Sequence, residues 1–164
     1  MISLAHKIYP NLKESSQKGE EMNEEYFKNP SESRIAEILQ NSKRMAVIGL
    51  SPKAHRDSYK VAEFMQQKGY KIYPVNPAHA GKEILGEHVY ASVEEIPERV
   101  DIIDVFRRSE LLPEVAKAVK NIDFGFFWAQ LGLSHPDVPK ILGEKFKDRI
   151  IMDRCIKLDW DALL

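Results

Sequence analysis

The chain has 164 residues, 43% hydrophobic and 30% charged, which supplies a core for one globular domain and is cramped for two. Its 24 basic and 25 acidic side chains leave a net charge of −1, so no global field favours nucleic acid or an anionic membrane, and any anion site must be local. No apolar run approaches the roughly 18 residues of a membrane helix or forms a secretory signal, and a lone cysteine, Cys155, excludes an internal disulfide framework and fits a reducing cytoplasm.

Residues 1–28 are rich in Lys, Glu, Ser, Gln and Asn and read as a polar extension, because burial there offsets little of the ordering entropy. The globular unit is expected over 29–164. A start signal at Pro30 and Ser31 precedes the stripe Ile35, Ile38 and Leu39 and predicts a short helix packed on the sheet edge. From residue 44 onward, short apolar runs alternate with longer amphipathic ones, the pattern of repeated βαβ units. Strands are predicted at 45–49, 71–75, 88–91, 101–106, 124–129 and 150–152. Helices are predicted at about 58–68, 110–120 and 136–146. The first of these shows Val61, Ala62 and Met65 on one face and stops at Gly69, a residue suited to a left-handed terminus. The second has Ser109 as N-cap and Pro113 in its first turn, where a missing N–H costs little. Right-handed crossovers then give an α/β fold: a doubly wound, mostly parallel, Rossmann-like sheet in a three-layer α/β/α sandwich. With strand order 3-2-1-4-5, its crevice lies at the carboxyl ends of the strands, at the switch point.

The first strand runs into VIGLSPKAHRDSY, residues 47–59. Gly49 permits a close backbone approach there, and a helix begins near Asp57 or Ser58, so free N–H groups and a positive dipole end face a phosphate. The loop is no dinucleotide fingerprint, since Ser51 and Ala54 stand where G-x-G-x-x-G needs glycines, and an ordinary NAD reading is weakened. Lys53, His55 and Arg56 bring charge instead. The fourth strand ends in Arg107 and Arg108. Facing loops would pool four cations around a polyanion; the alternative is solvated surface charge, with one arginine paired to Glu110. After the second strand, Asn76 lies between Pro74 and Pro77, a weaker ribose ligand than the Asp or Glu of NAD enzymes. That segment reads either as a structural connection or as a rigid wall for an adenine or pantetheine group.

The runs VIGLSPKAHRDSYKVAEFMQQKGYKIYPVNP, GKEILGEHVYASVEEIPERVDIIDVFRRSE, WAQLG and IIMDRCIK resemble, in order, those of the small stand-alone CoA-binding proteins, whose fold is akin to the CoA-binding domain of the succinyl-CoA ligase α subunit. The resemblance covers roughly residues 30–160. It implies a Rossmann-like domain holding coenzyme A, with Gly49, Ser51, Lys53, Arg56 and Ser58 in the phosphate loop. It also implies Val75, Asn76 and Pro77 after the second strand, Phe106, Arg107 and Arg108 after the fourth, and Gln130 and Gly132 at the far end of the crevice. Ala54 and Asp57 stand where relatives often carry Pro, which loosens the loop. Neither a phosphohistidine loop nor an ATP-grasp subunit, which a complete CoA ligase needs, is evident.

The remaining polar residues admit plainer readings. Cys155 is either a packed side chain or a partner for the CoA thiol. The five histidines, His6, His55, His79, His88 and His135, lack metal-ligand spacing. Asp101 and Asp104 fit strand-end hydrogen bonding or ligand hydroxyl contact better than acid/base work, and Phe124, Phe126, Phe127 and Trp128 fit core packing. The first expectation is a binding module for a small-molecule nucleotide ligand, CoA or an acyl-CoA, acting as carrier, sensor or partner subunit without a catalytic centre of its own. The alternative is an NAD(P)-linked oxidoreductase or a CoA-dependent transferase with a missing partner.

Overall fold

The computed structural model describes residues 27–164; His6 and nearly all of the predicted extension lie outside them. The elements, in chain order, are α1 (Glu32–Asn41), β1 (Arg44–Ile48), α2 (Asp57–Gln67), β2 (Lys71–Val75), β3 (Glu83–Ile84), β4 (Glu87–His88), β5 (Val100–Val105), α3 (Leu112–Val119), β6 (Phe124–Ala129), α4 (Asp137–Leu142), β7 (Ile150–Ile151) and α5 (Ile156–Leu163). Five strands form one sheet in the order β2-β1-β5-β6-β7, every pair parallel. β3 and β4 make a separate antiparallel pair.

Strand parity divides the apolar residues between two faces. Ala46, Ile48, Ile103, Val105, Phe127 and Ala129 join Leu112, Ala116, Val138 and Leu142 from α3 and α4 on one side. Met45, Val47, Ile102, Trp128 and Ile151 meet α1, α2 and α5 on the other. The expected three-layer Rossmann-like sandwich is the fold. The aromatic run is core, with Phe124, Phe127 and Trp128 buried.

Several predicted elements differ. Ser31 caps α1, its hydroxyl accepting from the Arg34 N–H at 3.2 Å, but the helix lies on a face of the sheet, its buried Ile35, Ile38 and Leu39 sharing a core with Met45 and Trp128, not on the edge. The predicted third strand contracts to a single parallel bridge between Val75 and Tyr90, because Glu87 and His88 are drawn into the antiparallel pair. Tyr90 still sits outside β2, so the 3-2-1-4-5 winding survives in outline. Ser109 opens a 3₁₀ turn, Ser109–Leu111, ahead of α3 and makes no cap. Gly143, at φ 83°, ends α4 at Leu142 before a second 3₁₀ turn, Glu144–Phe146. Helix α5 was not anticipated. Among the described residues no helix is long and apolar enough to cross a membrane.

Candidate functional site

The carboxyl ends of β1, β2, β5 and β6 lie side by side, and the loops that leave them form the candidate site. Gly49 has φ 82°, and a Cβ there would stand 2.3 Å from the Phe106 carbonyl oxygen. Its N–H donates to the Val75 carbonyl at 2.9 Å, while the Phe106 N–H donates to the Ile48 carbonyl at 2.9 Å. The glycine therefore lets three strand ends meet in one place.

The loop after β1 is braced from within. Ser58, buried at the start of α2, accepts from the Ser51 N–H at 3.0 Å, and the Ser51 hydroxyl accepts from the Lys53 N–H at 3.1 Å. Arg56 is the N-cap residue of α2 and makes no side-chain cap, so the first-turn N–H groups of this 11-residue helix carry their partial positive charge toward the loop. Gly49, Ser51, Lys53, Arg56, Asp57, Ser58 and Phe106 enclose an open crevice of about 380 Å³. Asp57, expected at the helix start and as a departure from Pro, adds a carboxylate to this wall.

The Asn76 amide is engaged at both ends within the protein. Its Nδ2 donates to the Leu50 carbonyl at 3.0 Å, and its Oδ1 accepts from the Ala78 N–H at 3.1 Å, so it ties the end of β2 to the β1 loop. Pro77 starts the 3₁₀ turn Pro77–His79 that Asn76 caps.

Arg107 and Arg108 are exposed on the same sheet edge, directly after Phe106, but they are not among the residues that wall the crevice. Arg108 stands 3.8 Å from Glu110, the pairing weighed as the plainer alternative. At this length and exposure it contributes little stability.

Gln130 and Gly132 lie one strand further on. The Gly132 N–H donates to Asp153 at 2.6 Å, and the Ser134 N–H donates to the Ser109 hydroxyl at 3.2 Å, so two neighbouring loops clamp this turn. Gln130 is buried; its Nε2 donates to Asp104 Oδ1, and its Oε1 accepts from the Ile156 N–H at 3.3 Å. Asp104 is 0% exposed, and its Oδ2 has no hydrogen-bond partner. Burial pushes its carboxyl up to about 7, against the opposing pull of Gln130 and the Val105 N–H. Asp101, at the opposite end of β5, instead accepts from the Lys43 and Arg44 N–H groups at 2.8 and 2.9 Å. Sequence reasoning missed the Asp104–Gln130 contact, whose members are 26 positions apart; a charged residue at an inward-facing strand position was the available signal.

Residues 43–161 match the family described as the CoA binding domain. The chain is 47% identical over 132 residues to the protein YneT of Bacillus subtilis (strain 168), a match covering 80% of this chain and 96% of that one. It is 40% identical over 102 residues to the acetate–CoA ligase [ADP-forming] I subunit alpha of Pyrococcus furiosus, covering 55% of this chain but only 22% of that subunit. Among solved structures, protein ID.343 of Thermus thermophilus superimposes with a TM-score of 0.77 at 31% identity, over 82% of this chain and all (100%) of the other. A Pyrococcus horikoshii OT3 protein does so with a TM-score of 0.76 at 28% identity, over 88% and 99%.

Proposed function

The chain belongs to the CoA-binding-domain family, and from that premise we propose that it binds coenzyme A or an acyl-CoA at the strand-end crevice, as carrier, sensor or partner subunit. The observation that carries this reading is the wall of the crevice: Gly49 backbone against Phe106, the α2 N-terminus, and Lys53 and Arg56 in one opening. In a chain of near-zero net charge, such a local cluster is what a 3′-phosphate and pyrophosphate require.

In this reading Gly49, Ser51, Lys53, Arg56 and Ser58 meet the phosphates, Val75, Asn76 and Pro77 shape the nucleotide wall, and Phe106 forms the floor. Arg107 and Arg108 supply long-range attraction from outside the walls, and Gln130 and Gly132 border the pantetheine end. Residues 29–164 are the binding domain. Ser51 and Ala54 in place of the fingerprint glycines disfavour an NAD-linked alternative.

Isothermal calorimetry with CoA and with NADP, at two salt concentrations, tests the proposal. We expect CoA to bind, NADP to bind far more weakly, and Lys53→Ala and Arg56→Ala each to lower CoA affinity by about tenfold, with a smaller salt dependence. Absence of CoA binding, or equal affinity in both variants and the parent, overturns it.

A further inference from the structure

Asp57 is the acidic member of a wall otherwise suited to phosphate, and phosphate binding alone does not account for it. The Arg56 N–H donates to the Lys53 carbonyl at 3.0 Å and closes a tight turn, and the Lys60 N–H donates to the Arg56 carbonyl at 3.1 Å as α2 begins. The turn and the helix start thus fix the backbone of Lys53, Arg56 and Asp57 at the opening, where all three are exposed. Their side chains make no ion pair and no hydrogen bond among the described residues. Elsewhere on the surface, cations find carboxylates: Arg44 meets Glu98, Lys71 meets Glu87 and Arg99 meets Asp123. In the stretch 53–57 two cations and a carboxylate stay apart, which leaves each of them free for a ligand.

The three charges require different partners. Lys53 and Arg56 donate hydrogen bonds and attract phosphate. An ionised carboxylate only accepts, so it needs a hydroxyl or N–H donor from the bound molecule, and it repels a phosphate set against it. A ligand that satisfies all three carries a phosphate and a donor side by side. A ribose 3′-phosphate with a free 2′-hydroxyl has that pattern on adjacent ring carbons, whereas a pyrophosphate offers acceptors alone. The volume of about 380 Å³ lies at the small end of ligand pockets, with room for a phosphorylated nucleoside. Phe106, half-buried in the same wall, gives the sugar or base an apolar face.

We propose that Asp57 is a specificity-determining residue: it accepts a hydrogen bond from the ribose 2′-hydroxyl while Lys53 and Arg56 hold the 3′-phosphate beside it. This rests on the CoA-binding reading above and assigns the crevice to the 3′-phosphoribose end of the cofactor. Asp57 also supplies the repulsive half of the selectivity, because a nucleotide phosphorylated at the 2′ position, as NADP is, sets its phosphate against the carboxylate.

Calorimetry on the full chain tests this with adenosine 3′,5′-bisphosphate and its 2′-deoxy analogue, and with CoA on the same preparations. The parent is expected to bind the ribo form about tenfold more tightly than the deoxy form, the loss of one hydrogen bond to a charged acceptor. Asp57→Ala is expected to bind the two forms equally. A carboxylate at a helix start also gains from the helix dipole, but that contribution shifts the urea midpoint and leaves the ribo-to-deoxy ratio where it was. Three results overturn the inference while leaving CoA binding intact: a ratio near one in the parent, the parental ratio retained in Asp57→Ala, or no binding of the bisphosphate by a preparation that binds CoA. Failure to bind CoA at all removes both readings together.

Discussion

Replacing Gly49 with alanine measures how much of the site depends on one close approach. Gly49 sits at φ 82°, and the added Cβ would meet the Phe106 carbonyl oxygen at 2.3 Å. A left-handed conformation costs an L-residue about 1–2 kcal/mol. The obstructing atom is backbone and cannot swing aside, so relieving the overlap displaces the β1 loop or the Phe106 segment, at about 1–3 kcal/mol more. Gly81 supplies the control: its φ is 83°, yet an added Cβ meets nothing within 4 Å, so Gly81→Ala carries only the conformational cost of about 1–2 kcal/mol. Urea unfolding of the two variants should therefore differ by about 1–3 kcal/mol, with Gly49→Ala the less stable. Calorimetry should show a CoA affinity at least about tenfold weaker in Gly49→Ala and unchanged in Gly81→Ala. Equal stability losses, or parental affinity in Gly49→Ala, would refute the idea that the meeting of Gly49 and Phe106 shapes the crevice.

Asp104 predicts a pH dependence of stability. Its folded value of about 7 lies above the ordinary 3.8, so its favourable contribution is fully present below 3.8 and is lost as pH rises through about 7. The loss totals about 4 kcal/mol, and denaturant titrations of parent and Asp104→Asn across that window should show the slope in the parent and its absence in the variant. Arg154 and Asp159 form a buried pair at 2.6 Å; Arg154→Ala strands the carboxylate and should cost about 3–5 kcal/mol in the same assay. Asn76→Asp places a carboxylate oxygen against the Leu50 carbonyl in place of a donor, and should lower the urea midpoint by the equivalent of about 1–3 kcal/mol.

The sheet was legible because period-2 and period-3.6 patterns survive in β1, β2, β5, β6 and α2, where each element buries one side against its neighbours. It failed where a distant partner decides. Asp159 interrupts the apolar face of α5 and is tolerated there only because Arg154 meets it, a pairing that no local pattern announces. Val89 and Tyr90 look like strand, yet the chain turns before them, and Tyr90 alone bridges β2. The β1 loop was readable in the candidate site because Gly49, Lys53, Arg56 and Ser58 lie within ten residues of one another. Which of the two cationic loops walls the crevice was not, because side-chain direction after a strand end depends on the turn that follows.

The register of the sheet ties the core to the chemistry. β1 and β5 pair Val47 with Asp104 and Ile48 with Val105, and β5 pairs Asp104 with Trp128. A slip of one residue would turn Asp104 to the opposite layer and separate Gly49 from Phe106. The position that parity assigns to Asp104 belongs to the layer of Val47, Trp128 and Ile102, where an aliphatic side chain would avoid the desolvation cost that a carboxyl incurs. A fold built for stability alone gains nothing from a carboxyl with one oxygen unpartnered at that point. Its placement beneath the strand ends, held by the turn that carries Gln130, is the kind of local inconsistency that functional sites retain.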